Sequence, residues 1–248
     1  MTEESTTAST TDAVAPTYVV VGAGPGIGLQ TAKAFAGRGW RTVLVGRTLA
    51  NLANLAGAIT DEFPDAPPPQ LVVADAEQPV ALKLALDDAD LGRVDVAHFN
   101  VVLWVPGGYE SSLIEVAAGM SAGVVAAVAM AQSLVPLLIE APGRGLLMLT
   151  GGGTADHPSP ASTGLGLQKA ALRNLALALH QELDPDQVRV STMTIYGTVA
   201  PDTDFAANRI GAAIAGIYDS AQSIASSAWT AVTEFRGQQQ FIGRDRDR

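Results

Sequence analysis

Residues 18–28 read Tyr18-Val19-Val20-Val21-Gly22-Ala23-Gly24-Pro25-Gly26-Ile27-Gly28. A β-branched run gives way at once to glycines, and small and apolar residues then recur at helical spacing from Gly26 to Gly37. That order reads as buried strand, tight turn, helix. Glycine lets backbone approach a bulky anion closely, and the helix that follows offers free N–H groups and the positive end of its dipole. The spacing is Gly-x-x-x-Gly-x-Gly, not the commoner Gly-x-Gly-x-x-Gly. Set between a first strand and a first helix, it predicts a cradle for the pyrophosphate of a dinucleotide, with Gly22, Gly24, Pro25, Gly26 and Ile27 in contact.

Downstream, strand and helix alternate. Strands are expected at Thr42–Val45, Leu71–Ala74, Val94–Asn100, Gly145–Thr150 and Val188–Ile195. Helices are expected at Leu49–Phe63, Pro79–Leu86, Leu113–Leu138 and Gln168–Leu183, with Gly119 and Gly123 weakening the third of these. Such alternation predicts an α/β fold, a Rossmann-type doubly wound parallel sheet between two helical layers. A single domain over 17–242 is expected, between a polar tail at 1–16 and another at 243–248.

The chain has 248 residues, 48% of them apolar and 16% charged, with a net charge of −10. This is globular composition, and its acidity argues against nucleic acid as a partner. There is no cysteine, so thiolate catalysis and disulfides are excluded. His98, His157 and His180 are too scattered to suggest a metal site. Residues 1–16 lack the pattern of a secretion signal. The apolar stretch Val124–Ile139 is broken by Gln132, Ser133 and Pro136 and is read as short of a membrane span. A cytoplasmic protein without membrane partners is the expectation.

The end of the second strand bears on cofactor choice. An acid there would bind a ribose 2′-hydroxyl, whereas an arginine accommodates a 2′-phosphate. The residues are Val45-Gly46-Arg47-Thr48, so NADP(H) is favoured over NAD(H).

With the turn, Asp75-Ala76, Asn100, Lys169-Ala170-Ala171-Leu172 and Tyr196-Gly197-Thr198-Val199 in place, the chain resembles the short-chain dehydrogenase/reductase family from Tyr18 to about Thr203. The resemblance implies Asp75 and Ala76 near the adenine, Asn100 at the second Asn of the family's Asn-Asn-Ala-Gly, Lys169 as the active-site lysine, and Gly197 and Val199 near the nicotinamide. It also implies a substrate-covering region over Asp202–Arg236, where Tyr218 and Trp229 are candidates for the pocket wall and, equally, for packing in the core. A homodimer or homotetramer through the helices at 113–138 and 168–183 follows from it too, since both carry broad Ala/Leu faces.

The departures from the family lie at the reacting centre. Its proton-donating tyrosine, four residues before the lysine, is Leu165 here. Its substrate-binding serine falls on Gly152, and its helix-4 asparagine on Gly123. General acid catalysis is worth about 10²- to 10⁴-fold, so a reductase needs replacements. His157, Ser162 and Tyr109, with Thr154, Thr163 and Tyr196, sit on loops expected to rim the cleft; with Lys169 the first three form the candidate catalytic set. His157 is attractive because its proton moves near neutral pH. The reading that results is an oxidoreductase acting on a small, largely apolar carbonyl or imine substrate through a non-standard site. The alternative is a non-redox enzyme, such as a cyclase or isomerase, or a cofactor-binding pseudoenzyme on the same scaffold.

Overall fold

The computed structural model describes residues 15–237 and the backbone of 239–242; of the expected tails at 1–16 and 243–248, residues 1–14 and 243–248 lie outside the described residues. The valine run forms β1 (Thr17–Val21), buried along its whole length. It pairs in parallel with β2 (Arg41–Gly46) on one side and β4 (Val96–Phe99) on the other. A strand covered on both faces needs a continuous apolar run, and β1 supplies one. Beyond these lie β3 (Gln70–Val73), β5 (Gly145–Thr150), β6 (Val188–Ile195), β7 (Val232–Arg236) and β8 (Gln239–Ile242), in the order β3-β2-β1-β4-β5-β6-β7-β8. Only β8, on the outer edge of β7, runs antiparallel.

One face packs Tyr18 and Val20 against α1 (Ile27–Ala36), α2 (Leu49–Glu62) and α7 (Ala207–Ser223). The other packs Val19 and Val21 against α3 (Pro79–Asp88), α5 (Ala126–Ile139) and α6 (Thr163–Glu182). Strand order reverses at β1, and an open α/β sheet forms its crevice at such a point, beyond the carboxyl ends of the strands. The register makes those ends level: Val21 lies opposite both Val45 and Phe99, and Phe99 opposite Leu149. Gly22, Gly46, Asn100 and Thr150 therefore emerge side by side.

The helix expected at Leu113–Leu138 departs from a plain α-helix. It comprises α4 (Leu113–Met120), a π-turn over Ser121–Val125 that contains Gly123, and then α5. Together, Leu113–Ile139 is long and apolar enough to cross a membrane, which corrects the shorter stretch read from sequence; half of it is buried inside the fold. Helix α6 begins five residues earlier than expected, at Thr163.

Candidate active site

A cavity of about 1080 Å³ runs across the carboxyl ends of β1 to β6. The glycine turn forms its floor. Gly22 has φ +89°, and a Cβ there would fall 2.9 Å from both the Asn100 carbonyl carbon and the Val101 nitrogen. Gly24 and Gly26 differ: both line the cavity, and nothing lies within 4 Å of where their Cβ atoms would be. Helix α1 opens from this spot with no acid in its first turn. Open space above glycine backbone at a helix start, without opposing charge, fits a diphosphate. Ile27 also lines the cavity, whereas Pro25 faces a neighbouring pocket formed with residues 199–209.

Arg47, Asp75 and Ala76 line one end. A carboxylate missed in the sequence reading also stands there. Glu77, just past β3, places Oε1 3.3 Å from the exposed Arg47 guanidinium. The Asp75 Oδ1 accepts the Glu77 N–H at 3.0 Å, which fixes this turn. The end of β2 carries no acid, as its sequence shows, but the turn after β3 brings one to Arg47.

The opposite end is organised by a buried chain of hydrogen bonds. Tyr18 Oη lies 2.6 Å from His98 Nδ1, and His98 Nε2 lies 2.8 Å from Thr150 Oγ1. Thr150 Oγ1 donates to Asn100 Oδ1 at 2.9 Å, and Asn100 Nδ2 donates to the Gly22 carbonyl at 3.2 Å. One proton arrangement satisfies every member. With its only proton given to Asn100, Thr150 must accept from Nε2–H, and Nδ1 must accept from Tyr18 O–H. Burial foremost, and then the Lys169 charge, push the His98 pKa down to about 3, consistent with a neutral ring. The sequence hint was a lone polar residue inside an apolar strand, but its partners come from two other strands, β1 and β5.

Lys169 and Asn100 line the cavity. Lys169 is 6% exposed, and its Nζ donates to the Thr150 carbonyl at 2.8 Å. Burial pulls its pKa down to about 8. Gly152 lies against its stem, since a Cβ there would sit 3.4 Å from Lys169 Cγ. Leu165, one helical turn before the lysine, also lines the cavity. Two of the three departures from the family pattern, Leu165 and Gly152, therefore sit together at the wall beside Lys169.

Gly197 and Val199 line the same end, with Tyr196 before them. The Tyr196 hydroxyl donates to Asp156, which also pairs with Arg173, while Arg236 lies 3.8 Å above the tyrosine ring. Burial and the Asp156 carboxylate raise the Tyr196 pKa, so this hydroxyl is held as an acceptor's partner and is a poor acid. Ser162 precedes α6 but makes no capping bond; it is buried and lines the cavity. Thr154 lines it as well, with a buried Oγ1 lacking a hydrogen-bond partner. His157 lies exposed at the rim, its ring 5.8 Å from that of Tyr196.

Like Pro25, three further candidates do not reach the cavity. Tyr109 is 96% exposed, bonds Glu110 next to it and does not line the cavity. Trp229 is buried, with Nε1 donating to the Val190 carbonyl at 2.9 Å, and Tyr218 packs against Trp40 and Phe35. Trp229 lies in the core, and Tyr218 packs half-buried against it. The loop after β4 does reach the cavity, with Val102, Leu103 and Trp104 in its wall. Among the described residues no cluster could hold a metal ion.

A family model described as short chain dehydrogenase matches residues 16–209. No curated protein matches the chain in sequence. A metagenomic short-chain oxidoreductase in complex with NADP is 22% identical, with 91% of this chain and 99% of that one covered and a TM-score of 0.77. A Sphingobium yanoikuyae short-chain dehydrogenase in complex with NADPH is 22% identical, with 88% and 87% covered and a TM-score of 0.73. A Mycobacterium avium short chain dehydrogenase reaches a TM-score of 0.78 at 18% identity, covering 94% and 87%. At these identities the likeness is one of fold.

Proposed function

Because the chain belongs to the short-chain dehydrogenase family of oxidoreductases, which bind a nicotinamide cofactor, we propose that it binds NADP(H) in this cleft and acts on a small, largely apolar substrate through a site built without the family's tyrosine and serine. The observation that carries the reading is Lys169, buried at one end of the cavity whose floor is the glycine turn. A lysine seldom goes under cover without a purpose, and this one has a carbonyl, not a carboxylate, as its bonded partner. When bound, the cofactor would donate or accept the hydride. The chain's own part is to bind it along Gly22–Ile27, seat its adenosine by Arg47, Asp75 and Ala76, and present Lys169 at the reacting end beside Asn100, Gly197 and Val199. Ser162 and His157 remain the candidates for substrate contact. An ammonium in low dielectric repels an iminium and attracts oxygen on which negative charge develops. Of the carbonyl and imine classes, the carbonyl is therefore the better fit.

Arg47 supports NADP(H) over NAD(H), and two neighbours in fold hold the phosphorylated form. Glu77 opposes it, since its carboxylate must release Arg47 to a 2′-phosphate. Nicotinamide fluorescence titration decides the matter: NADPH is expected to bind more tightly than NADH. Arg47→Ala should weaken NADPH roughly 10- to 100-fold, the loss of one charge-assisted hydrogen bond, and NADH less than threefold; Glu77→Gln should tighten NADPH. Tighter NADH binding by the unaltered protein overturns the preference, and no binding of either overturns the cofactor reading. Deuterium passing from 4-deuterated NADPH to product then separates hydride transfer from the second reading, non-redox chemistry, which the apolar Leu165 and Gly152 wall favours.

We further propose self-association through α4–α5 and α6. Leu113, Ile114, Val125 and Val128 on the first, and Leu167 and Leu177 on the second, are exposed apolar side chains, more than a monomer usually leaves to water. Sedimentation equilibrium should give a dimer or tetramer that Val128→Asp dissociates; a monomer at micromolar concentration overturns this.

A further inference from the structure

Helix α6 turns two consecutive side chains in different directions. Lys169 faces the cavity, and Gln168, about 100° around the helix, faces α4 and the loop after β4. Gln168 is 1% exposed. Its Nε2 donates to the Leu103 carbonyl at 2.8 Å and the Gly164 carbonyl at 3.2 Å, while its Oε1 accepts the Leu103 N–H at 3.4 Å. Both main-chain groups of Leu103 thus close on one carboxamide.

The room for that carboxamide is made by two glycines one turn apart. A Cβ at Gly119 would stand 2.8 Å from Nε2; one at Gly123 would collide with Oε1 and stand 3.0 Å from Cδ and Cγ. Gly123 lies within the π-turn, a widened turn of the kind that often marks functional sites in helices. The loop has other seats on α6 that serve a different stretch. Val105 packs into the notch at Gly164, where a Cβ would come within 2.6 Å of it, and Gly107 bonds the backbone of Ala161 and Thr163. Leu103 is fastened by Gln168, and its two neighbours, Val102 and Trp104, line the cavity while remaining 52% and 62% exposed.

We propose that Gln168 is a positioning residue for the substrate side of the cleft: seated between Gly119 and Gly123, its carboxamide clamps Leu103 and so sets Val102 and Trp104 against the bound substrate. Gly123 is then not simply the loss of a helix-4 side chain, because the volume that side chain would fill is taken by an amide from the facing helix. This rests on the cleft being the cofactor and substrate site, but its first test does not. In the unaltered protein the Leu103 N–H should exchange with solvent at least tenfold more slowly than the N–H groups of Val102 and Trp104, which have no partner among the described residues. Equal exchange overturns the clamp before any variant is made. Gln168→Met fills the notch without the bonds, and Gly123→Ala displaces the carboxamide while leaving it in the chain. In either, Leu103 exchange should rise at least tenfold and acrylamide quenching of Trp104, read against a Trp104→Phe reference, should change, with NADPH affinity within threefold of the parent. Unaltered Leu103 exchange and Trp104 quenching in a folded variant overturn the proposal. Failure of the parent to bind NADPH leaves the exchange result standing and counts against the cofactor reading alone.

Discussion

Replacing Lys169 with methionine should make the cofactor-free protein more stable and its binding of nicotinamide cofactor weaker. Burial brings the lysine from its ordinary 10.5 to about 8. The folded value lies below the unfolded one, so between pH 8 and 10.5 the unfolded chain carries the additional proton and stability rises with pH across that window. Below pH 8 the penalty is fully present. At 1.36 kcal/mol per pH unit, the gap from 10.5 to about 8 makes the charged lysine cost about 3 kcal/mol near neutrality. Methionine matches its length, carries no charge and fills irregular space, but it leaves the Thr150 carbonyl without its donor, a loss of about 1 kcal/mol. The expected net gain is roughly 2 kcal/mol at pH 7, or a rise of about 4–8 °C in melting temperature for a chain of this size. Urea unfolding at pH 7 and pH 10 checks it, since the advantage should shrink as the parent's lysine loses its proton. NADPH affinity should fall at least tenfold. A variant less stable than the parent at both pH values would make Lys169 a part of the fold and not of the site.

The glycine turn, the parallel sheet and the lysine could be read from the chain because each has a local signature. Gly145–Thr150 and Val188–Ile195 coincide with their expected bounds, since buried parallel strands are continuous apolar runs. The first turn of α6 carries Gly164 and Gly166, poor helix formers that hide its start; at Gly164 the space of a side chain is taken by Val105. Helix α7 and the edge strands have mixed patterning, so substrate covering and core packing read equally well there. At the site, Glu77, Gln168 and the His98 chain escaped for one reason. Each is defined by a partner 30 or more positions away, Arg47 for Glu77, Leu103 for Gln168, and Tyr18 and Thr150 for His98. No short window of sequence contains such a pair. Tyr109 failed in the opposite way: a loop past a strand suggests a rim, but only the path of that loop decides which side chains face inward.

Acid should unfold this protein through His98. The ring is completely buried and titrates at about 3 in the fold, against an ordinary 6.5. As pH falls through 6.5 the unfolded chain takes up a proton that the folded one refuses, so stability declines steadily until about pH 3. The decline amounts to about 3 kcal/mol by pH 4.5, a large share of the 5–15 kcal/mol that holds a typical domain together. His98→Gln keeps a donor and an acceptor but does not titrate. It should be less stable than the parent at pH 7, because its shorter reach cannot serve Tyr18 and Thr150 together, and its stability should depend far less on pH between 6.5 and 4.5. Chemical unfolding of both proteins across that range isolates the histidine, because His157 and His180 are common to the two. Parallel pH curves would overturn the assignment. The consequence also reaches the cleft. A protonated ring presents Nδ1–H to the Tyr18 hydroxyl in place of a lone pair, and Thr150, Asn100 and Gly22 hang from the same chain of bonds. The pH that strains the core should therefore also loosen the turn that holds the diphosphate, and NADPH affinity in the parent should weaken before the protein unfolds.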